Sequence, residues 1–385
     1  CAQMAKLAGY DGVEVIGSAG YLLSTFLVKK TNLREDQWGG SYENRMRFPL
    51  EVIKRIRAAG GADFIFIFRI PAMDMLDDGM SWDEVVRLAK EMEKAGVTII
   101  STHFCWHESR VPTIATMVPR AAFTEVTGRL RKELSVPVIT SNRINTPEVA
   151  EQVLRDGDAD LISMARPMLA DPEFVVKAFE GRENEINTCI ACNQACLDHT
   201  FGRKEGVTCL VNPRACHETL LKYSPAEQPK RIAVIGAGPA GLAYCTVASQ
   251  RGHQVTLYDG AAQIGGQFNL AKRIPGKEEF YETLRYYDTM LRLGNVEVHL
   301  NTWVDKASLE KKGFDEIILA TGISPRVPDI SGIDHPKVVS YLEVIEGAVE
   351  VGNRVAIIGA GGIGFDVAEL SSRKGVSPAR YTEVF

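Results

Sequence analysis

Residues 231–259 read RIAVIGAGPAGLAYCTVASQRGHQVTLYD, and their spacing decides the fold of the second half of the chain. Arg231–Ile235 is a short apolar run of strand character. Gly236-Ala-Gly238-Pro-Ala-Gly241 is a turn, Leu242–Gln250 a helix, and Gln254–Tyr258 a second strand ending at Asp259. In such a βαβ unit the first glycine makes the turn, the second admits a pyrophosphate and the third lets helix and strand pack closely. The acid after the second strand holds a ribose hydroxyl. The complete order is far more specific than a glycine motif alone, so Gly236, Gly238, Ala240, Gly241 and Asp259 are read as a Rossmann-type dinucleotide site.

Downstream, Gly265-Gly266-Gln267 follows the second strand, and a late strand at Ile317–Leu319 runs into Ala320-Thr321-Gly322. Gln267 and Gly322 then lie where the chain passes the ligand, which points to FAD. The pattern starts again at Arg354–Ile358, a further expected strand, followed by Gly359, Gly361 and Gly364 and a helix over Phe365–Ser372. Two dinucleotides are implied, FAD on the first fold and NAD(P)H on the second.

Upstream of residue 231, Cys189, Cys192, Cys196 and Cys209 are spaced C-x2-C-x3-C-x12-C. Three thiolates on one short loop and a fourth returning after a compact excursion can reach the corners of an iron–sulfur cube. Structural zinc, which more often uses two C-x2-C pairs, and unengaged thiols are the alternatives. Cys1, Cys105, Cys216 and Cys245 read as buried or free thiols.

Residues 1–185 alternate strand-like and amphipathic runs in a βα rhythm. Strands are expected at Gly12–Ile16, Phe64–Ile70, Thr98–Thr102, Val136–Thr140 and Leu161–Met164. Helices are expected near Asn44–Ala59, Trp82–Lys94, Ala122–Leu134 and Thr146–Arg155. The first strand carries no glycine-rich turn, whereas Tyr21, Arg69, His103, His107, Arg143 and Arg166 crowd the C-terminal strand ends, where barrel enzymes keep their sites. The segment reads as part of a TIM (β/α)8 barrel, with about three more βα units expected ahead of Cys1. The second dinucleotide fold is likewise expected to continue past residue 385. The domain order is therefore barrel over 1–185, cysteine region over 186–228, FAD fold over 229–345 and the start of an NAD(P)H fold over 346–385.

The 385 residues suffice for two or three domains, and a hydrophobic content of 45% suits packed cores. A net charge of -5 offers no basic field for nucleic acid, and no run of about eighteen apolar residues suggests a membrane span. Cysteines concentrated in one cluster suit a reducing, cytoplasmic compartment better than a disulfide scaffold.

Barrel, four-cysteine linker and paired dinucleotide folds in this order resemble the large old-yellow-enzyme flavoproteins, the group that includes bacterial 2,4-dienoyl-CoA reductases and trimethylamine dehydrogenase. The resemblance runs through Gly9-Tyr-Asp-Gly-Val-Glu14, Asp36-Gln-Trp-Gly-Gly40, Asn44-Arg-Met-Arg-Phe48, Trp106-His-Glu108, Ile186-Asn-Thr-Cys-Ile190 and Val211-Asn-Pro-Arg-Ala-Cys-His-Glu218. It implies that Tyr21 is a proton donor, that His107 works with it, and that Arg69, Arg143, Ala165 and Arg166 contact FMN. It also implies an acyl-CoA thioester substrate and electrons passing from NADPH through FAD and a 4Fe-4S cluster to FMN. Position 19 is alanine where the dienoyl-CoA reductase pattern has a carboxylate, and Ile16 replaces the histidine of many enone reductases.

Overall fold

The computed structural model describes residues 1–373 and 375–380 and divides into two compact units, Cys1–Ala165 and the remainder from Arg166. In the first unit β1 (Gly12–Ile16), β2 (Ile65–Met73), β3 (Ile99–Phe104), β4 (Val138–Thr140) and β5 (Leu161–Ile162) form one five-stranded sheet in chain order. Every pairing is parallel. A parallel neighbour can be reached only by a crossover. The helices Tyr42–Gly60, Trp82–Lys94, Thr124–Arg131 and Pro147–Asp156 supply the crossovers. Sequential parallel order with one crossover per strand is the arrangement of a TIM barrel.

Side-chain alternation gives the sheet two chemically distinct faces. On β2, Phe66, Phe68 and Ile70 are fully buried and pack with Ile53, Leu88 and Met92 of the helices. Arg69 stands between them in sequence and projects to the opposite face. The register Arg69↔Ser101 and Pro71↔His103 puts Ser101 and His103 on that face too.

The observed strands depart from the expected ones at their ends, for lack or gain of partners. Pairing of Pro71 with His103 and Met73 with Phe104 carries β2 past Ile70. Conversely, β4 and β5 shrink to the residues that face each other, Ile139↔Leu161 and Thr140↔Ile162. Helix starts follow capping chemistry: Ser41 accepts from Asn44 N, Thr146 from Val149 N, and Ser81 forms a capping box with Glu84.

In the second unit β6 (Arg231–Ile235), β7 (Gln254–Tyr258), β8 (Glu297–His299) and β9 (Glu316–Leu319) pair in parallel in the order β8-β7-β6-β9. The helix Pro239–Gln250 crosses from β6 to β7 over a core of Ile232, Val234, Leu242, Cys245 and Leu257. Cys245 is thus a core thiol, its pKa pushed up to about 12 by burial.

One expectation fails here. Arg354–Ile358 is not a strand, and Val355, Ile357 and Ile358 are 49%, 40% and 73% exposed. Among the described residues no stretch pairs with it, and an unpaired strand leaves its backbone groups without partners. The following helix does form, from Gly362 to Ser372, and Val367 packs with Ile274 and Ile345. Of this last region, Lys374 and residues 381–385 lie outside the described residues.

The barrel helices are pinned by a buried cation. Arg45, 1% exposed, donates to the Leu27 carbonyl and, at 2.6 Å, to Glu84 Oε1, while the Tyr42 hydroxyl donates to the Glu84 carbonyl. Glu84→Ala removes both the counter-charge of Arg45 and half of a capping box. It is expected to cost about 3 kcal/mol of stability, measured by chemical denaturation; a loss near zero would show that the pair does no more than a surface ion pair.

Candidate functional site

The C-terminal ends of β1, β2 and β3 bring together residues far apart in sequence. The turn after β1 is Gly17-Ser18-Ala19-Gly20-Tyr21. A Cβ on Gly17 would collide with the Phe68 ring, so the chain hugs the sheet there. Ala19 and Gly20 take φ of 65° and 89°, a conformation natural for glycine and strained for alanine. This turn presents Tyr21, 52% exposed, as the cap of the short helix Leu22–Leu27.

His107 comes from the loop after β3. Its Nε2 lies 3.0 Å from the Tyr21 hydroxyl, and the rings meet edge to face with centroids 5.3 Å apart. The two residues singled out as a proton-handling pair are therefore hydrogen-bonded to one another. The His107 peptide N–H also donates to the Ala19 carbonyl at 3.5 Å, joining the two loops.

On the same sheet edge lies an array of buried polar atoms with no partner among the described residues. Arg69 Nε, His103 Nδ1 and Ser18 Oγ are of this kind. An unsatisfied buried donor or acceptor is costly, and such groups gather where a ligand completes them. His103, which the sequence places at the strand ends without a role, is held neutral: burial first, then the charges of Arg69 and His107, lower its pKa to about 4. A fixed guanidinium beside a neutral imidazole fits an anionic, multiply hydrogen-bonding group such as a flavin. Arg143 is engaged differently. It is buried at φ 56°, its Nε donates to the Val118 carbonyl at 2.8 Å, and its own carbonyl accepts from Ala121.

Ala165 is exposed at the end of this unit, and Arg166 opens the next. Arg166 lines a cavity with all four expected cysteines, Cys189, Cys192, Cys196 and Cys209, and donates to Asn193 Oδ1 at 2.6 Å. The cavity is built by buried amides. Asn187 Nδ2 donates to the Val211 carbonyl and Asn212 Nδ2 to Leu169, while Asp171 accepts from the Asn187 N–H and from Lys177. These bonds close the ends of the excursion, so Cys209 returns to the first three thiols. Burial raises the pKa of Cys192, and that of Cys209 to about 11, so a metal would bind here against the cost of removing protons. Among the described residues no three histidine, cysteine, aspartate or glutamate side chains are grouped to hold a single metal ion.

The first dinucleotide turn has the geometry its glycines predict. Gly236 has φ 111°, and a Cβ there would strike the Ala320 carbonyl, which β9 brings alongside. A Cβ on Gly241 would overlap the Gly236 carbonyl oxygen. A Cβ on Gly238 would meet nothing within 4 Å, leaving space over the helix N-terminus for a phosphate, and Ala240 lies in the first turn of that helix. Asp259 accepts from Ala237 N at 2.6 Å and Ala261 N at 2.7 Å, so it shapes the turn. Gln267 donates to the Ile323 carbonyl at 3.3 Å, and Gly322 is exposed at φ 74°. The second turn repeats the local pattern without its strand. Gly359 has φ 117°, a Cβ on Gly364 would overlap its carbonyl, and Gly361 is open.

Residues 1–185 match the NADH:flavin oxidoreductase / NADH oxidase family, and residues 230–383 match pyridine nucleotide-disulphide oxidoreductases. The two matches imply FMN binding in the first region and FAD or NAD(P) binding in the second, the make-up of a flavin oxidoreductase. A metal reductase of Desulforamulus reducens is 40% identical over 378 residues, covering 97% of this chain and 56% of that protein. A cinnamate reductase of Clostridium sporogenes is 32% identical, covering 97% and 58%. The structure of a 2-naphthoyl-CoA reductase in complex with 2-naphthoyl-CoA superposes with a TM-score of 0.92 at 35% identity, over 96% of this chain and 56% of that one. The chain thus spans little more than half the length of these proteins. The relatives support the family rather than 2,4-dienoyl-CoA reduction in particular.

The glycine geometry separates folding from binding. Gly238→Ala fills open space and is expected to leave the thermal midpoint unchanged while lowering dinucleotide affinity tenfold or more, about 1.4 kcal/mol. Gly241→Ala is expected to destabilise the fold itself. Equal affinity for FAD in the Gly238 variant, measured by fluorescence titration, would place the pyrophosphate elsewhere.

Proposed function

We propose that the whole protein is an NADPH-dependent reductase of carbon–carbon double bonds conjugated to a carbonyl, acting on a 2,4-dienoyl-CoA thioester in the breakdown of unsaturated fatty acids. The observation that carries this reading is the 3.0 Å hydrogen bond between Tyr21 and His107 at the sheet edge that also holds Arg69. When bound, FMN, FAD, NADPH and a four-cysteine iron–sulfur cluster supply hydride and single-electron chemistry. The chain's own residues supply the proton, the binding and the electrostatics.

Saturating one bond of a conjugated thioester drives negative charge toward the carbonyl and requires a proton at carbon. A phenol is a fitting donor, being acidic enough to yield its proton to a developing carbanion and too weak an acid to lose it beforehand. His107 fixes the hydroxyl's direction through Nε2 and receives a share of the charge left on the phenolate. Arg69 and the neutral His103 offer N–H groups to the flavin, with Arg143 and Ala165 completing the FMN contacts of this unit. Gly236, Gly238, Ala240, Gly241, Asp259, Gln267 and Gly322 bind FAD, and Gly359, Gly361 and Gly364 bind NADPH.

For Cys189, Cys192, Cys196 and Cys209 the reading is a 4Fe-4S cluster. One zinc ion needs its thiolates to converge within about 2.3 Å of a single point, whereas a cubane takes each thiolate on its own iron. Four thiols that line one cavity at C-x2-C-x3-C-x12-C spacing support the cubane. The domain assignment is FMN and substrate on 1–185, the cluster on 186–228, FAD on 229–345 and NADPH on the region from 346. The naphthoyl-CoA reductase complex supports a CoA thioester, and the cinnamate reductase supports a conjugated double bond. Half of the eight cysteines fall in one ligand-like cluster, which supports a reducing, cytoplasmic compartment; among the described residues no helix is long and apolar enough to cross a membrane.

Tyr21→Phe tests the assignment. Flavin reduction by NADPH is expected to proceed normally while enoyl product formation falls about 10²- to 10⁴-fold, because electron supply and proton supply lie at different groups. A product rate equal to that of the unmutated protein would exclude Tyr21 as the donor.

A further inference from the structure

The Tyr21–His107 bond joins two loops, and one of its partners is half exposed. Left to themselves, exposed loop side chains would populate many separations. Proton delivery requires one, held to a fraction of an ångström. Something buried has to fix both loops, and the side chain between them is Trp106.

Trp106 is 4% exposed and sits next to His107 in the chain. Its indole lies directly over Gly20, next to Tyr21: a Cβ on Gly20 would stand 3.0 Å from Trp106 Cε3. One rigid ring therefore touches the neighbours of both members of the pair. The ring is tethered twice to a single residue at the end of β2. Asp74 Oδ1 accepts from the indole Nε1 at 2.6 Å, and the Asp74 carbonyl accepts from the Trp106 peptide N–H at 3.1 Å.

Asp74 itself is 3% exposed, and its second oxygen, Oδ2, accepts from Met80 N at 2.8 Å. Its pKa is raised by burial and, to a lesser degree, by the negative charge of Glu84. A carboxylate kept in such a setting is costly, and a turn alone does not require it, since an asparagine serves most turns as well. What asparagine cannot do is accept from two N–H groups with two oxygens.

We propose that Asp74 is a positioning residue for the Tyr21–His107 pair, acting through the Trp106 indole that it clamps over Gly20. The inference rests on the reading of that pair as the proton-delivering group. Asp74 touches neither substrate nor flavin in this account. It sets the distance at which the hydroxyl meets the substrate carbon, by holding the two loops in one register.

The test uses the cofactor-loaded protein with Asp74→Asn, Trp106→Phe and the two together. Each single variant is expected to keep NADPH reduction of the flavin and the KM for the thioester, and to lose about 10²-fold in kcat, the usual effect of a misplacement near 1 Å. The double variant is expected to be no slower than Trp106→Phe, because both changes cut the same link. The Trp106 indole proton is expected to exchange slowly in the unmutated protein and freely in Asp74→Asn. A purely structural role would instead lower flavin content and kcat together and raise the KM.

Undiminished kcat in Trp106→Phe would overturn the proposal even if Asp74→Asn failed to fold. If Tyr21→Phe retained full turnover, the reading of the pair would fall, whereas indole exchange would still report on the clamp. A large loss in Tyr21→Phe with none in Asp74→Asn would leave the pair standing and remove Asp74.

Discussion

A parallel strand cannot hand the chain straight to its neighbour, and the rest of this structure follows from that constraint. Each crossover returns the chain to the same starting edge, so every strand ends on the opposite one. In the first unit Tyr21, Arg69, His103 and His107 gather there from β1, β2 and β3 and their loops. In the second unit the same rule sets the Gly236 turn at the C-terminal end of β6 and Asp259 at the end of β7, close enough for Asp259 to bond Ala237. Two sites of different chemistry thus share one topological cause.

Alternation within the strands then divides the work. Helix-facing Phe66, Phe68, Ile70 and Ile100 provide the packing, leaving on the other face Arg69 Nε and His103 Nδ1, buried and without a partner among the described residues. The stability of the sheet and the reactivity of its edge come from alternate residues of the same strands. Loops carry what strands cannot: the positive φ at Ala19 and Gly20 turns Tyr21 back over the sheet toward His107. The alanine at position 19, unusual beside the family pattern, occupies that strained position and offers its carbonyl to His107.

Much of this was legible in the residues. Hydrophobic period located β1, β6 and β7 to the residue, and in β6 and β7 the apolar runs that set the length are buried. Where pairing set the length, as in β4 and β5, the ends were missed. Arg354–Ile358 has a strand's composition and no strand's partner, a property periodicity does not encode. Tyr21 and His107 are 86 residues apart, and only resemblance joined them. Asp74 reads as one acid among several in Asp74-Met-Leu-Asp-Asp78, and its burial depends on Trp106 reaching it from another loop. Arg166 was grouped with the barrel arginines, yet its side chain lines the cysteine cavity, as its position after a short strand did not reveal.

The account stands on a conjugated CoA thioester being the electron acceptor. Anaerobic titration of the cofactor-loaded protein with NADPH, followed by a 2,4-dienoyl-CoA, tests this in the visible spectrum. The account predicts bleaching of the flavin bands by NADPH and their full return on adding the thioester, with one enoyl-CoA formed per two electrons withdrawn. A reduced protein that stays bleached in the presence of the thioester would contradict it.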